Sequence, residues 1–421
     1  MMRTMKDSGF GWLRKIPVDW EVLKIKDGFY RKKAKAFQND PVVLSLARSG
    51  VKIRDITTNE GQLAASYYEY NPVDIDDMLL NPMDLQSGAN CSISEVKGVI
   101  SPAYINLRYK NGFNPLFYDY YFKYQYWSYA FFSYGKGVSF DNRWTLNEDT
   151  LMNLPLLKPS KQEQDKIATF LKRECTKIDS ILEDVQNQID KLSEYKRSVI
   201  VDAVTKGVDK CSNFVDSGMK WIGKIPAHWK TEKIKYNFYR HELRNPGGME
   251  ILSVYREYGV IPKNSRDDNH NVTSEDTSKY KYVKPGYLVI NKMKAWQGSM
   301  GVSDYEGVVS PAYFIYRFKN DSFSKRYVHY LLRSCYKDEL RRISGGIREG
   351  QWDLDPDRFG NTLILIPPMD EQNRIVSYLE EKCSDIDSII SKKKEQLDVL
   401  EEYKRSLIYE YVTGKKEVPN E

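Results

Sequence analysis

Three stretches of the sequence interleave basic, aromatic and glycine residues. They are FSYGKGVSFDNRW (132–144), INKMKAWQGSM (290–300) and LRRISGGIREGQW (340–352). Lysine and arginine side chains bind the phosphates of nucleic acids, and Arg, Gln, Asn and Ser form hydrogen bonds with base edges. The composition of these stretches therefore predicts loops that bind DNA.

The candidate DNA contacts are basic, amide, hydroxyl or indole side chains in predicted loops: Lys52, Arg54, Gln86, Ser87, Lys136 and Arg143 in the first half of the chain, and Arg256, Lys292, Lys294, Trp296, Gln297, Arg348 and Gln351 in the second. The three glutamines are the best candidates for base reading, because a glutamine amide can form two hydrogen bonds with adenine. The lysines and arginines can equally contact phosphate only, and each candidate can equally be a solvated surface residue.

No motif predicts catalysis on this chain. Walker A and G-x-G-x-x-G patterns are absent, so neither ATP hydrolysis nor S-adenosylmethionine binding is expected here. NPMD (81–84) lacks the second proline and the aromatic residue of an amino-methyltransferase motif, and is interpreted as a turn. DIDDM (74–78) is acidic but has no paired lysine, and is not interpreted as a nuclease site. Five cysteines without C-x-x-C and four scattered histidines predict neither disulfides nor a metal site.

Composition indicates a globular protein of 421 residues with 41% hydrophobic and 29% charged residues. No membrane-length apolar run and no secretory signal are recognisable, so a cytoplasmic location is expected. Residues 161–206 contain nine basic and nine acidic residues, so their net charge is zero. Residues 370–413 contain seven basic and eleven acidic residues, so their net charge is −4. Because the whole chain carries +6, the remainder carries +10, which suits a polyanionic partner.

The chain contains an internal duplication. DSGFGWLRKIPVDWEVLKI (7–25) aligns with DSGMKWIGKIPAHWKTEKI (216–234), and VISPAY (99–104) aligns with VVSPAY (308–313). After one deletion, the EQ and EYKRS motifs of the first half also align with those of the second. The interiors, 31–98 and 240–307, have equal length and almost no matching residues. This pattern predicts one scaffold that presents two different surfaces.

Two segments, 161–206 and its repeat near the C-terminus, are predicted to be long helices. Pro159 and Ser160 mark the start of the first and Gly207 its end. Apolar residues recur at seven-residue steps, which predicts two antiparallel coiled-coil helices. The predicted seam contains Leu171, Ile178, Val185, Leu192 and Val199, with Ile181 and Tyr195 at its second position; in the repeat it contains Leu379, Ile386, Leu400 and Leu407, with Ile389 and Tyr403.

Gln188 and Gln396 occupy an otherwise apolar position of this predicted seam. There they either fix the register of the helices or lie at a solvated edge. In the interiors of the two repeats, β-rich runs occur at 42–47, 104–109, 286–293 and 312–318. The predicted fold is α+β, with two pseudo-symmetric globular domains separated by the helices. The expected limits are 1–158 and 208–366 for the domains, 159–207 and 367–414 for the helices, and 415–421 for a tail.

The duplicated W-x-x-K-I-P-x-x-W openings (12–20 and 221–229), the S-P-A-Y strands and the EQ-to-EYKRS helices together resemble the specificity subunits of type I restriction–modification systems, over essentially the whole chain. This resemblance implies two target-recognition domains. Each would read one half of a bipartite, asymmetric site in double-stranded DNA, and the helices would set the spacing.

The same resemblance implies partners and cofactors. Two methyltransferase subunits and the restriction/translocase subunits would join this chain, and S-adenosylmethionine, ATP and magnesium would bind those partners rather than this chain. The chain itself would be non-catalytic. Two other classes of function remain open from the residues alone: a self-contained methyltransferase or nuclease with an unrecognised site, and a structural coiled-coil scaffold.

Overall fold

The structure is a computed structural model that describes residues 3–57, 64–83, 85, 90–137, 144–209, 213–256, 258–265, 276–346 and 352–419. The chain divides into two compact units. The first unit comprises Met1–Gln186 and Glu395–Glu421, and the second comprises Asn187–Lys394. Each unit contains one globular domain and a part of each long helix. Within the described ranges, no helix has the length and apolarity needed to cross a membrane.

The elements up to the end of the first long helix are, in chain order, β1 (Met5–Phe10), β2 (Leu13–Pro17), β3 (Glu21–Lys24), α1 (Ile25–Gly28), β4 (Phe29–Arg31), β5 (Leu44–Ala47), β6 (Gly50–Ile53), β7 (Asn71–Val73), β8 (Met78–Leu80), β9 (Cys91–Ile93), β10 (Gly98–Ile100), β11 (Ile105–Tyr109), α2 (Pro115–Trp127), α3 (Ala130–Ser133), α4 (Glu148–Asn153), β12 (Pro155–Lys158) and α5 (Lys161–Lys206).

The remaining elements are β13 (Phe214–Asp216), β14 (Lys224–Pro226), β15 (Lys230–Lys233), α6 (Ile234–Asn237), β16 (Phe238–His241), β17 (Leu252–Tyr255), β18 (Gly259–Pro262), β19 (Lys281–Val283), β20 (Leu288–Asn291), β21 (Met300–Val302), β22 (Gly307–Val309), β23 (Tyr313–Phe318), α7 (Lys325–Cys335), α8 (Lys337–Ile343), β24 (Ser344–Gly345), β25 (Asp353–Leu354), α9 (Pro356–Asn361), β26 (Leu363–Ile366) and α10 (Met369–Val412).

Both domains are built around the same antiparallel sheet. The strand order is β4-β11-β8-β9 in the first unit and β16-β23-β20-β21 in the second. The β-rich runs predicted from the sequence correspond to β5, β11, β20 and β23, so these predictions are confirmed. Helices α2 and α7 pack their buried faces in the main apolar core of each unit. The α+β class and the duplication are both confirmed.

The repeated EQ motif fixes the start of each long helix on its own domain. The Gln164 amide accepts a hydrogen bond from Asn114 N at 2.8 Å and donates one to Pro159 O at 2.9 Å. Gln372 repeats both bonds, with Ser324 N at 2.8 Å and Pro367 O at 2.9 Å. Both side chains are fully buried, and buried amides need such partners. The motif therefore has a structural role.

The ends of the first long helix are confirmed where the sequence predicts them. Ser160 Oγ accepts a hydrogen bond from Glu163 N at 3.2 Å, as an N-cap residue does. Helix α5 ends at Lys206, and Gly207 follows with φ +78°. Helix α10 is followed in the same way by Gly414 with φ +69°.

Part of the predicted coiled-coil seam is wrong. Leu171, Ile178 and Val185 are buried as expected, but Ile181 and Tyr195 are 44% and 56% exposed. In the repeat, Leu379, Ile386 and Leu407 are buried, but Ile389 and Tyr403 are 45% and 56% exposed.

The second seam position lies one residue later, where Cys175 and Ile189 are buried and Leu182 is partly buried. Buried positions of a coiled-coil helix are separated alternately by three and four residues. The step after Ile178 is four residues, to Leu182, rather than the predicted three, to Ile181. Gln188 and Gln396 are exposed, so they do not occupy the seam.

Ionic contacts show that the helix segments run antiparallel within each unit. In the second unit, Lys196 Nζ lies 2.6 Å from Asp387, and Lys393 Nζ donates to Gln188 at 2.5 Å. Positions thus rise along one helix as they fall along the other. In the first unit, Lys404 Nζ lies 2.5 Å from Asp179.

The acidic DIDDM segment has lysine partners after all, which corrects the expectation from the sequence. Asp77 is fully buried, and its carboxylate accepts hydrogen bonds from Lys32 Nζ at 2.9 Å and Arg108 Nη1 at 3.0 Å. Asp74 contacts the same lysine at 2.6 Å. These partners come from strands distant in sequence, so no local pattern predicts them. The bonds to Lys32 and Arg108 join distant segments of the first domain, and a further bond from Asp74 N at 2.7 Å holds the local turn.

Candidate nucleic-acid interface

Each unit carries one short hairpin outside its four-stranded sheet. Strand β5 pairs with β6 in the first unit, and β17 pairs with β18 in the second. Their sequences, LSLARSGV (44–51) and LSVYREYGV (252–260), share Leu, Ser, Arg, Gly and Val in the same order. The hairpins are therefore equivalent elements. The expectation that the two interiors have almost no matching residues is wrong at this hairpin.

The second hairpin holds the candidate residue Arg256 at its turn, with the side chain exposed. The Arg256 guanidinium donates a hydrogen bond to the Gln297 side-chain oxygen, so two candidates from separate segments meet here. Arg333 on α7 donates to the Arg256 carbonyl oxygen and, at 3.2 Å, to Met300 O. Burial lowers the pKa of Arg333 from its usual value. Arg333 thus connects the hairpin turn at Arg256 to strand β21 at Met300.

The loop between β20 and β21 contains four candidates and is held in a tight conformation. Asn291 Oδ1 accepts a hydrogen bond from Met293 N at 3.1 Å, and Trp296 Nε1 donates to Met293 O at 3.1 Å. The Trp296 ring lies 5.4 Å from that of Trp352, which follows the last candidate loop. The structure therefore brings this loop to the hairpin on one side and to the segment at Trp352 on the other.

The lysines of this loop differ in their surroundings. Lys292 Nζ lies 3.4 Å from Asp353, and Leu354 N donates to Lys292 O at 2.9 Å. Lys294 is exposed at the start of a single helical turn over Ala295–Gln297. Lys294 therefore presents its ammonium group to solvent, while Lys292 has a carboxylate partner on a neighbouring strand.

The first domain repeats the backbone of this loop. Asn81 Oδ1 accepts from Met83 N at 3.0 Å, and Leu146 N donates to Pro82 O at 2.9 Å. These bonds correspond to those of Asn291 and Lys292. Residues 81–83 of NPMD therefore bend as the turn interpretation predicts, and Asp84 lies outside the described residues. Exposed methionines mark both loops, with Met83 at 50% and Met293 at 45% exposure.

Three candidates of the first domain are described. Lys52 is exposed on β6, and Arg54 follows that strand, with its backbone N–H donating to Val43 O at 2.8 Å. Lys136 lies on another segment and exchanges two backbone hydrogen bonds with Thr145, at 2.8 and 3.0 Å. The hairpin thus groups Lys52 with Arg54, whereas Lys136 belongs to the base of a separate loop.

The remaining five candidates, Gln86, Ser87, Arg143, Arg348 and Gln351, lie outside the described residues. Their DNA contacts stay a prediction. In the described ranges, no group of three or more His, Cys, Asp or Glu side chains is placed to hold a metal ion.

One residue was missed by the sequence analysis. Arg48 occupies the turn of the first hairpin, at the position that Arg256 occupies in the second, and its side chain is exposed. The signal was present in the sequence as the shared pattern L-S-x-x-R, beginning at Leu44 and Leu252.

Comparisons with known proteins find similarity to type I restriction–modification specificity subunits. Residues 225–399 match the family model of the type I restriction modification DNA specificity domain. The MjaVIII specificity subunit of Methanocaldococcus jannaschii is 23% identical over 455 aligned positions, which cover 100% of this chain and 99% of that protein. The MjaX specificity subunit of the same organism is 22% identical over 288 positions, 65% of this chain and 62% of that protein.

Two solved structures have a similar fold. One, from a study of complex assembly and conformational transition of a type I restriction–modification system, has a TM-score of 0.64 at 13% identity and covers 95% of this chain and 99% of its own. The HsdS subunit from Thermoanaerobacter tengcongensis has a TM-score of 0.50 at 13% identity and covers 97% of this chain and 100% of its own. The chain is thus similar in sequence over its whole length to one specificity subunit of a type I restriction enzyme, and similar in fold to structures from such systems.

Proposed function

We propose that this chain reads a bipartite, asymmetric site in double-stranded DNA, with each domain reading one half and the helices setting the spacing. The observation that supports this proposal is the pair of equivalent hairpins, which share a turn arginine (Arg48 and Arg256) but carry different side chains around it. A duplicated backbone that presents different donors and acceptors would read two different half-sites.

In the second domain, Arg256 and Gln297 act as one reading unit. The Gln297 oxygen accepts from the guanidinium and so orients it, which leaves the other guanidinium donors free for a guanine edge or a phosphate. Lys294 and Trp296 flank this pair on the same loop. In the first domain, Lys52 on β6 and Arg54 just after it supply the equivalent positive charge.

The helices and domains also recruit two methyltransferase subunits, and restriction/translocase subunits join that assembly in the cytoplasm. S-adenosylmethionine, ATP and magnesium bind those partners, because this sequence contains none of the phosphate-binding or cofactor-binding motifs. Full-length similarity to specificity subunits supports this division of labour.

Domain exchange tests the reading of half-sites. Residues 31–155 are replaced by the same interior from another family member, and genomic methylation is mapped with the original chain, the hybrid and no specificity subunit. We expect one half of the methylated site to change and the other to stay. A matched point variant, Arg256→Gln, should relax only the half that the exchange leaves intact, with a discrimination loss of about 1–3 kcal/mol. A change in both halves after either substitution contradicts the proposal.

Helix length tests the spacing. Seven residues are inserted after Gln188 and seven after Gln396, so that both helices lengthen together and keep their heptad register. At about 1.5 Å per residue the insertion adds about 10 Å, or roughly three base-pair steps. We expect the same two half-sites with a spacer about three base pairs longer. An unchanged spacer would exclude the helices as its determinant.

A further inference from the structure

The first unit contains a groove of about 580 Å³ between the turn of the first hairpin and the ends of the helix segments. Arg48 and Ser49 line one wall, Trp127 on α2 lines another, and Lys404 and Arg405 on α10 line the third. The two arginines come from elements far apart in sequence and face the same space. Such a convergence of guanidinium groups is suited to a phosphate.

The charges in this groove are unequally neutralised. Lys123 Nζ is paired with Asp119 at 2.6 Å, and Lys404 Nζ is paired with Asp179 at 2.5 Å. Arg405 lies 3.5 Å from Glu401, and both side chains are more than half exposed, so that pair is weak.

The Arg405 guanidinium also lies 5.8 Å from the centroid of the Trp127 ring, and this contact restricts its orientation. Arg48 has no ion pair among the described residues. The two arginines are therefore the cations that remain able to bind an anion.

The second unit repeats only part of this chemistry. Tyr330 and Arg333 occupy the positions of Tyr120 and Lys123, because Ser324 and Asn114 are equivalent at the starts of α7 and α2. The EYKRS motif places Arg197 at the position of Arg405, but Lys337 stands at the position of Trp127. In addition, Arg256 is bonded to Gln297, whereas Arg48 lines the groove.

We propose that this groove binds a backbone phosphate of DNA through Arg48 and Arg405. This inference rests on the proposed function and extends it, since it adds a helix residue to an interface otherwise made by loops. DNA is the occupant that the position favours, because Arg48 belongs to the same hairpin as Lys52 and Arg54. A phosphate bound there would lie next to these cations along one continuous basic surface.

The test uses the full chain assembled with its methyltransferase partners. Binding to a cognate duplex and to one with a mismatched half-site is measured by fluorescence anisotropy over a range of salt concentrations. Arg405→Gln and Arg48→Gln should each weaken binding to both duplexes equally and reduce the slope of log Kd against log salt by about one. Arg197→Gln is the matched control and should leave affinity and slope unchanged.

Other outcomes separate the possibilities. If Arg405→Gln and Arg48→Gln leave the slope of log Kd against log salt and the sequence preference unchanged, the groove does not bind a phosphate. The proposed function would still hold. A variant could instead assemble less well with the methyltransferase, while its assembled fraction keeps the slope of log Kd against log salt. That result would mean that the groove binds the methyltransferase rather than DNA, and it would also overturn the proposal. The expected slopes without any preference for the cognate duplex would support the groove and contradict the proposed function.

Discussion

The two domains fill equivalent positions of the same sheet with different chemistry. The first places Lys32, Asp77 and Arg108 where the second places His241, Tyr287 and Arg317. In the first, a buried carboxylate accepts hydrogen bonds from two cations. In the second, the Tyr287 ring lies 5.1 Å from the ring of His241 and 5.4 Å from the guanidinium of Arg317. One backbone therefore accepts either an ionic or an aromatic cluster, and the two should differ in how they respond to substitution.

The largest expected effect comes from Asp77→Asn. The asparagine amide is neutral, and its NH₂ group cannot accept a hydrogen bond. Lys32 and Arg108 therefore lose the negative charge that neutralises them inside the first domain. Breaking a buried pair costs about 3–5 kcal/mol, and we expect about 3 because Lys32 and Arg108 keep 20% and 29% exposure and can reach water. Tyr287→Phe keeps the ring and should change stability by less than about 0.5 kcal/mol. Urea unfolding measures both, and equal losses would show that the clusters are energetically alike.

A pH effect should be specific to the second domain. His329 Nδ1 accepts a hydrogen bond from Val302 N at 3.2 Å, and burial lowers the pKa of this histidine from 6.5 to about 3. The unfolded chain binds a proton below about pH 6.5 and the folded chain does not, so stability falls as the pH decreases through that window. The loss is about 1.4 kcal/mol per pH unit, or about 2 kcal/mol at pH 5.

The first domain has Asp119 at this position, and its carboxylate accepts hydrogen bonds from Ile93 N at 3.1 Å and from Lys123 Nζ at 2.6 Å. His329→Gln should therefore remove most of the loss between pH 7.5 and 5 from urea unfolding curves. Tyr121→Phe, which removes a buried hydroxyl of the first domain that donates to Pro155 O at 3.1 Å, should leave that difference intact. A pH difference that persists in His329→Gln would place the titrating group elsewhere.

The sequence predicts the duplicated features because they are local. Ser160 and Gly207 mark the ends of α5, and β-rich runs mark four of the strands. The prediction for the second seam position was wrong because Ile181 and Leu182 are adjacent and both apolar. Only the packing against the other helix shows that Leu182 is the more buried of the two. The bond between Arg256 and Gln297 joins segments about forty residues apart, so no spacing predicts it.

The glycines that follow the two long helices should differ in their tolerance of alanine. Both have positive φ, which costs an L-residue about 1–2 kcal/mol. A Cβ on Gly207 would lie 2.8 Å from Glu371 Oε1, a flexible side chain that can move. A Cβ on Gly414 would lie 2.4 Å from the Pro17 ring, which cannot. Thermal unfolding should show a larger decrease in Tm for Gly414→Ala, and equal decreases would mean that the ring contact is relieved by movement of the chain end.

The smallest loss of stability should come from removing the ion pairs between the helix segments. These pairs are closely alike in the two units. Lys404–Asp179 and Lys196–Asp387 have similar distances, 2.5 and 2.6 Å, and similar lysine exposures, 26% and 27%. Each is a surface pair worth about 0.2–1 kcal/mol, and salt should weaken both. Lys404→Gln and Lys196→Gln should therefore lower the free energy of unfolding equally, by less than about 1 kcal/mol in urea titrations at low salt. A larger loss for Lys404→Gln would mean that its neighbours in the groove, Trp127 and Arg405, depend on this lysine, so that the asymmetry of the domains extends into the helices.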